Sequence, residues 1–179
     1  MIIETKRLFL REMLETDFDA LCKVFCDAEV MKYYPEVFDE AKVKSWIRKN
    51  IERYQIFGFG LWAVCLKETE EVIGDCGLTM QVINNQIKPE IGYHIRKDCQ
   101  QKGFAKEASI AVRDWAFCNT PFNVLYSYMK HTNLPSIKTA ISYGCKQVED
   151  FEDSVNGITK VFAITRDEFL GEKSENCKS

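Results

Sequence analysis

Histidine is scarce in this chain, with two in 179 residues, and no Cys-x-x-Cys pair occurs among its eight cysteines. No cysteine lies beside either histidine at metal-ligand spacing, which excludes the common zinc modules, and no metal is expected. Cys22 and Cys26 stand one helical turn apart without further ligands nearby, so they read as packing residues and the cysteines together as reduced thiols. No apolar run reaches the length of a membrane span. The opening Met1-Ile2-Ile3-Glu4-Thr5-Lys6 also lacks the basic region and long apolar core of a secretory signal. A cytoplasmic location with no membrane partner is therefore expected. The chain has no basic excess either: 24 Lys and Arg against 27 Asp and Glu give a net charge of -3. That balance argues against a nucleic-acid partner and suits a small basic one. Repeats, low-complexity segments and a Pro/Gly/Ser-rich linker are absent. With 46% hydrophobic and 12% aromatic residues, the expectation is one domain over residues 1–170 and a polar tail over 171–179.

What is present reads as alternating strands and helices. Residues 3–11 alternate around Leu8 and Leu10 as a strand, and Glu15-Thr16-Asp17 supplies caps for a helix carrying Phe18, Leu21, Val24 and Phe25. A second helix from about Asp39 to Phe57 places Val43, Trp46, Ile47, Ile51 and Tyr54 on one side, and Gly58 and Gly60 stop it. Residues 61–67, 72–82 and 88–95 form an antiparallel meander, with turns at Glu68-Thr69-Glu70-Glu71 and Asn84-Asn85-Gln86. After a helix that begins near Gly103 come a strand over 123–130, a short helix over 136–143 and closing strands over 145–151 and 159–166.

The segment from Glu90 to Ala108 carries the chemistry. The strand-like Glu90-Ile91-Gly92-Tyr93-His94-Ile95 leads to Gln100-Gln101-Lys102-Gly103-Phe104-Ala105, where a helix starts with apolar residues at 104, 108, 111, 112 and 115. A small-residue turn opening a helix aims unpaired main-chain N–H groups outward, and the helix dipole adds to their pull on phosphate. The turn lacks the Gly-Lys-Ser/Thr of a nucleoside-triphosphate loop and the three glycines of a dinucleotide fingerprint. Strand, helix and strand over 90–130 allow two parallel neighbours with the cradle at the carboxyl end of the first.

These residues resemble the GCN5-related N-acetyltransferase (GNAT) family, whose pyrophosphate loop reads Gln/Arg-x-x-Gly-x-Gly/Ala. Thr5-Lys6-Arg7-Leu8-Phe9-Leu10-Arg11 is similar to the first strand of the branch that includes ribosomal-protein N-terminal acetyltransferases. Glu90-Ile91-Gly92-Tyr93, Glu107-Ala108 and Asn133-x-x-Ser136 followed by Gly144 resemble that branch's motifs in order. The resemblance implies an α/β GNAT-like fold: one mixed, mostly antiparallel sheet of about seven strands flanked by helices, with two parallel strands splayed around the cofactor. It implies acetyl-CoA as co-substrate, held by Gln100, Gln101, Lys102, Gly103, Phe104, Ala105 and Lys106 at the pyrophosphate. His94, Ile95 and Arg96 would meet the pantetheine arm through their main chain, and Asn133 would contact that arm. The acceptor would be an amine, of a protein N-terminus or a small molecule, bound beside the two early helices. Homodimers are common in the family, and no residue pattern here argues for one.

Acetyl transfer to an amine needs a deprotonated nucleophile, a polarised carbonyl and a proton for the departing thiolate. Glu90 is the expected base, at the matching strand position, with Gly92 and His94 on its face. His94 is the second choice and otherwise a packing residue; His131 reads as a solvent-exposed turn residue, and Tyr93 as core on the opposite face. Asn133 and Ser136 are expected at the thioester end, although Asn133-Leu134-Pro135-Ser136 also reads as a capped helix start. Ala140 stands where many members carry a tyrosine acid, which leaves Ser136 or water as donor, and Cys145 replaces an aromatic. Three functions remain open: an acetyl-CoA-dependent N-acetyltransferase, a non-catalytic acyl-CoA-binding or regulatory module, and an enzyme of another class using a phosphate-bearing ligand.

Overall fold

The computed structural model describes residues 2–176, the last five by backbone alone. The strands are β1 (Ile3–Glu4), β2 (Leu8–Arg11), β3 (Leu61–Leu66), β4 (Val72–Ile83), β5 (Gln86–Ile95), β6 (Val124–Lys130), β7 (Lys146–Asp153) and β8 (Gly157–Thr165). They form one sheet in the order β1-β2-β3-β4-β5-β6-β8-β7, in which β5 and β6 are the parallel pair. The helices are α1 (Phe18–Phe25), α2 (Ala28–Met31), α3 (Glu40–Phe57), α4 (Phe104–Asn119), α5 (Leu134–Ser142) and α6 (Arg166–Asn176). This is the mixed, mostly antiparallel GNAT-like sheet expected, with eight strands because the first run folds back on itself.

Both faces of the sheet's centre are covered, which is why β3 is apolar throughout instead of alternating. Leu61, Ala63 and Cys65 pack with Leu21, Val24 and Phe25 of α1 and Val43 and Ile47 of α3. Trp62 and Val64 face the other way, toward Ala108, Val112 and Ala116 of α4. Local signals set the element ends. Asp39 caps α3 by accepting from the Lys42 N–H, and Gly58 ends it in the left-handed region at φ 74°. Asn84 and Asn85 make the β4–β5 turn with φ of 47° and 60°.

Two elements differ from the expectation. The first strand is a tight hairpin, with Thr5 N–H donating to the Leu8 carbonyl at 2.9 Å and the Thr5 hydroxyl accepting from Leu8 N–H at 2.9 Å. Its turn is held from outside: Glu107 accepts from Thr5 Oγ1 at 2.7 Å, Arg7 N–H at 2.8 Å and Arg7 Nε at 2.7 Å. The expected polar tail is helical as far as Asn176, and the remainder of it lies outside the described residues. Phe169 stacks on Phe117 at 5.0 Å, and the Arg166 guanidinium donates to the Phe117, Thr120 and Phe122 carbonyls, docking α6 on the end of α4.

Candidate active site

The loop between β5 and α4 has the conformation of an anion cradle. Gln101 at φ 60° and Gly103 at φ 81° turn the backbone, and α4 starts on Gly103 with no side chain capping its first turn. Alternating right- and left-handed residues form a concavity of N–H groups suited to phosphate oxygens, and the dipole of a sixteen-residue helix points into it. Arg7 fixes the loop from behind: Nη1 donates to the Lys102 carbonyl at 2.9 Å, and the guanidinium lies 4.5 Å from the centre of the Phe104 ring. Burial pushes the Glu107 carboxyl up, but the hydrogen bonds from Thr5 and Arg7 outweigh it and leave the pKa lowered. Gln100, Gln101, Lys102, Gly103, Phe104, Ala105 and Lys106 therefore sit together at one helix start.

The parallel strands part just before this loop. β5 and β6 are in register only at Glu90 and Tyr126. Beyond that point side chains, not a neighbouring strand, meet the β5 carbonyls. Ser127 Oγ donates to Ile91 O at 2.7 Å, Tyr34 Oη to Tyr93 O at 3.4 Å and Gln100 Nε2 to Ile95 O at 2.9 Å. Ile95 thus lies on the open edge. Arg96 differs from the expectation: its N–H donates to Ile73 O at 2.8 Å, its carbonyl accepts from Cys99 at 2.9 Å, and its guanidinium is held by Asp98 and Glu71. These contacts turn Arg96 away from the gap.

Register with β4 puts Glu90, Gly92 and His94 opposite Thr79, Gly77 and Asp75, on the face covered by α1 and α3. Burial pushes the half-buried Glu90 carboxyl up to about 7, against the hydrogen bond from Thr79 Oγ1 at 3.0 Å, the nearby His94 and the cation of Arg53. Its carboxylate oxygens lie 3.2 and 3.3 Å from where a Cβ on residue 92 would sit, so it leans over Gly92 toward His94. His94 does not face the gap with its side chain. Its Nδ1 lies 2.8 Å from Oδ1 of the fully buried Asp75, whose other oxygen accepts from Trp46 Nε1 at 2.9 Å. Phe25, Tyr34 and Trp46 surround the imidazole at centroid distances of 5.0, 4.7 and 5.9 Å. The result is an aromatic wall that encloses the His94–Asp75 pair beside Glu90.

On the opposite side of the gap, buried Asn133 caps α5 by accepting from Ser136 N–H at 3.2 Å, with Leu134 and Pro135 opening the helix. Capping is therefore part of what Asn133 does, and it sets the start of the helix that carries Ser136. Ala140 and Cys145 are buried in the core, so the replaced aromatic leaves a closed interior. Tyr143 is buried as well, and its hydroxyl meets Ser127 Oγ. His131 is exposed. Burial pushes the Cys22 thiol up to about 11, the direction of an unreactive side chain. Among the described residues no group of three or more His, Cys, Asp or Glu could hold a metal, and no helix is long and apolar enough to cross a membrane.

A family model described as an acetyltransferase (GNAT) domain matches residues 7–146. The chain belongs to the GNAT family. One relative of this GNAT chain, an uncharacterized N-acetyltransferase p20 of Bacillus licheniformis, is 31% identical over 174 residues, covering 93% of this chain and 97% of the relative. A GNAT-family acetyltransferase from Bacillus anthracis has the same fold, with a TM-score of 0.80 at 23% identity over 93% of this chain and 99% of that one. RimL, a ribosomal alpha-N-protein acetyltransferase in complex with coenzyme A, superposes with a TM-score of 0.76 at 16% identity over 92% and 97% of the two chains.

Several residues that shape this GNAT site carry no sequence signal of their own. Asp75 sits in the apolar run of β4, and only its pairing with His94 and Trp46 gives it meaning. Thr79 and Tyr34 enter through register and through a loop. Arg7 is part of the opening motif, but its reach to Lys102 spans 95 positions and is invisible along the chain.

Proposed function

We propose that this chain is an acetyl-CoA-dependent N-acetyltransferase that transfers the acetyl group directly to a primary amine, of a protein N-terminus or of a small molecule. The observation that carries the reading is Glu90, a carboxyl with its pKa pushed up to about 7 at the point where β5 and β6 part. A base poised near neutrality both takes and releases a proton at working pH. The residues fit the co-substrate. The uncapped start of α4 suits a pyrophosphate and the Ile95 edge a pantetheine arm, while Asn133 and Ser136 at the start of α5 would meet the thioester end. When bound, acetyl-CoA supplies the activated acyl group. One Glu90 oxygen accepts from Thr79, which leaves the other to take the amine proton. Asp75 and the aromatic wall hold the face from which a cationic acceptor would approach.

Isothermal titration with acetyl-CoA, followed by thiol release on a panel of small amines and N-terminal peptides, tests this reading. Binding with acceptor-dependent release is expected. Binding without release on any acceptor would instead favour a non-catalytic acyl-CoA-binding or regulatory module, and absence of binding would defeat both readings.

A further inference from the structure

Almost every arginine of this chain is committed to a partner. Arg7, Arg11, Arg48, Arg96 and Arg113 each pair with a carboxylate, and Arg166 gives its guanidinium to the carbonyls of Phe117, Thr120 and Phe122. Arg53 differs: among the described residues it meets no carboxylate, and its hydrogen bond runs from Nη1 to the neutral Asn50 Oδ1 at 3.1 Å. A guanidinium carries five N–H donors in a planar fork, so most of this one is left over. Arg53 is half-buried, yet its remaining nitrogens are not sealed away: among the described residues the buried side-chain atom without a partner is the Tyr93 hydroxyl.

Its place is fixed from α3. Fully buried Asn50 accepts from Leu61 N–H at 3.0 Å and donates from Nδ2 to Trp46 O at 3.0 Å, so the residue that holds Arg53 is itself locked to the start of β3. A Cβ on Gly60 would stand 2.8 Å from the Tyr54 ring and 3.4 Å from the Arg53 Cβ, so the bare glycine lets the end of α3 settle on the strand. Gly60 O accepts from Leu78 N–H at 3.1 Å, one residue before Thr79, whose hydroxyl meets Glu90 at 3.0 Å. Burial pulls the Arg53 pKa down, and the carboxylates that act the other way are Glu90 and then Asp75. Asp75 is already matched by His94 and Trp46. We propose that Arg53 binds a carboxylate carried by the acceptor, so that the acceptor is a small amine with a carboxylate a few bonds from its nitrogen, as in a free amino acid. This rests on the transferase reading above. The site then offers opposite charges to a zwitterion, Glu90 to the ammonium and the Arg53 fork to the carboxylate. A peptide N-terminus has a neutral amide where that carboxylate stands, and a polyamine brings a second cation, which Arg53 repels.

The test pairs free amino acids with their carboxamides in the thiol-release assay, on wild type, Arg53→Gln and Arg53→Lys, with acetyl-CoA titration to show that each variant is folded. In wild type kcat/KM should favour the acid by roughly ten-fold or more, mostly through KM, the ratio expected of one charge-assisted contact. Arg53→Gln should bring that ratio to about one, and Arg53→Lys should restore part of it, since lysine keeps the charge and loses the fork. Wild type that turns over carboxamides, peptides or polyamines as well as the free acids would overturn the assignment while leaving the transferase standing. So would an equal loss on acid and carboxamide in Arg53→Gln with the acidic limb moved to higher pH for both, which would show Arg53 acting only by lowering the Glu90 pKa. A wild-type protein that binds acetyl-CoA yet releases no thiol with any acceptor would overturn both.

Discussion

Glu90 unites position and protonation state. Its raised pKa means that it is protonated, and unable to act as a base, below about pH 7, and ionised above it. kcat/KM should accordingly rise through about pH 7 toward a plateau, and Glu90→Gln should lower kcat by roughly a hundred-fold or more and abolish that limb. A limb that survives in the glutamine variant would assign the proton transfer to another group, His94 being the nearest by face. Gly92 serves the same carboxylate by absence. A Cβ there would stand 3.2 Å from the Glu90 oxygen, so Gly92→Ala should displace the base and lower kcat while acetyl-CoA affinity, measured calorimetrically, stays unchanged. The place of Glu90 on its strand face was legible in the sequence through the Glu-Ile-Gly-Tyr motif and strand alternation. Asp75 was not, because a lone acid in an apolar run carries no signal until register brings His94 and Trp46 to it.

At the scale of elements, the hairpin of β1 and β2 and the start of α4 behave as one unit. Glu107 accepts three hydrogen bonds from residues 5 and 7, and Arg7 passes a fourth to the Lys102 carbonyl in the cradle. Arg7→Ala should therefore weaken acetyl-CoA binding by roughly five- to ten-fold in titration, the equivalent of about 1 kcal/mol, through loss of loop order. Glu107→Ala should in addition lower unfolding free energy by about 1 kcal/mol in urea titration, since the exposed Arg7 donors then turn to water while the Thr5 contact is lost. Apart from α2, which Asp27 caps separately and the sequence reading did not divide from α1, the other helices and strands were readable because their ends carry physical markers: Asp39, Gly58, the Asn84-Asn85 pair and Asn133. The hairpin turn Thr5-Lys6-Arg7 contains no glycine, proline or asparagine and is stabilised by Glu107 a hundred positions away. Helix α6 escaped for a related reason. Its sequence is polar, and its docking depends on Phe169 and Arg166 meeting α4 in three dimensions.

For the molecule as a whole, the site and the stability of the fold oppose each other at Glu90. Its folded pKa of about 7 lies above the ordinary carboxylate value, so the fold prefers the protonated form. The stability held below the unfolded pKa is lost as pH rises toward and through 7. Glu90→Gln should therefore melt higher than wild type at pH 8 and nearly equally only below the ordinary carboxylate pKa, at about pH 4, a readout that does not depend on turnover. Such a cost, retained where the two parallel strands part, is typical of residues kept for chemistry. The sheet order that makes the gap was implied by the family resemblance, and the acidic, aromatic wall beside it emerged only from packing. The most direct measurement is thiol release from acetyl-CoA in the presence and absence of a graded panel of primary amines and N-terminal peptides. Release that depends on the acceptor and yields the acetylated amine is the expected result; tight acetyl-CoA binding with no release on any member of the panel would contradict it.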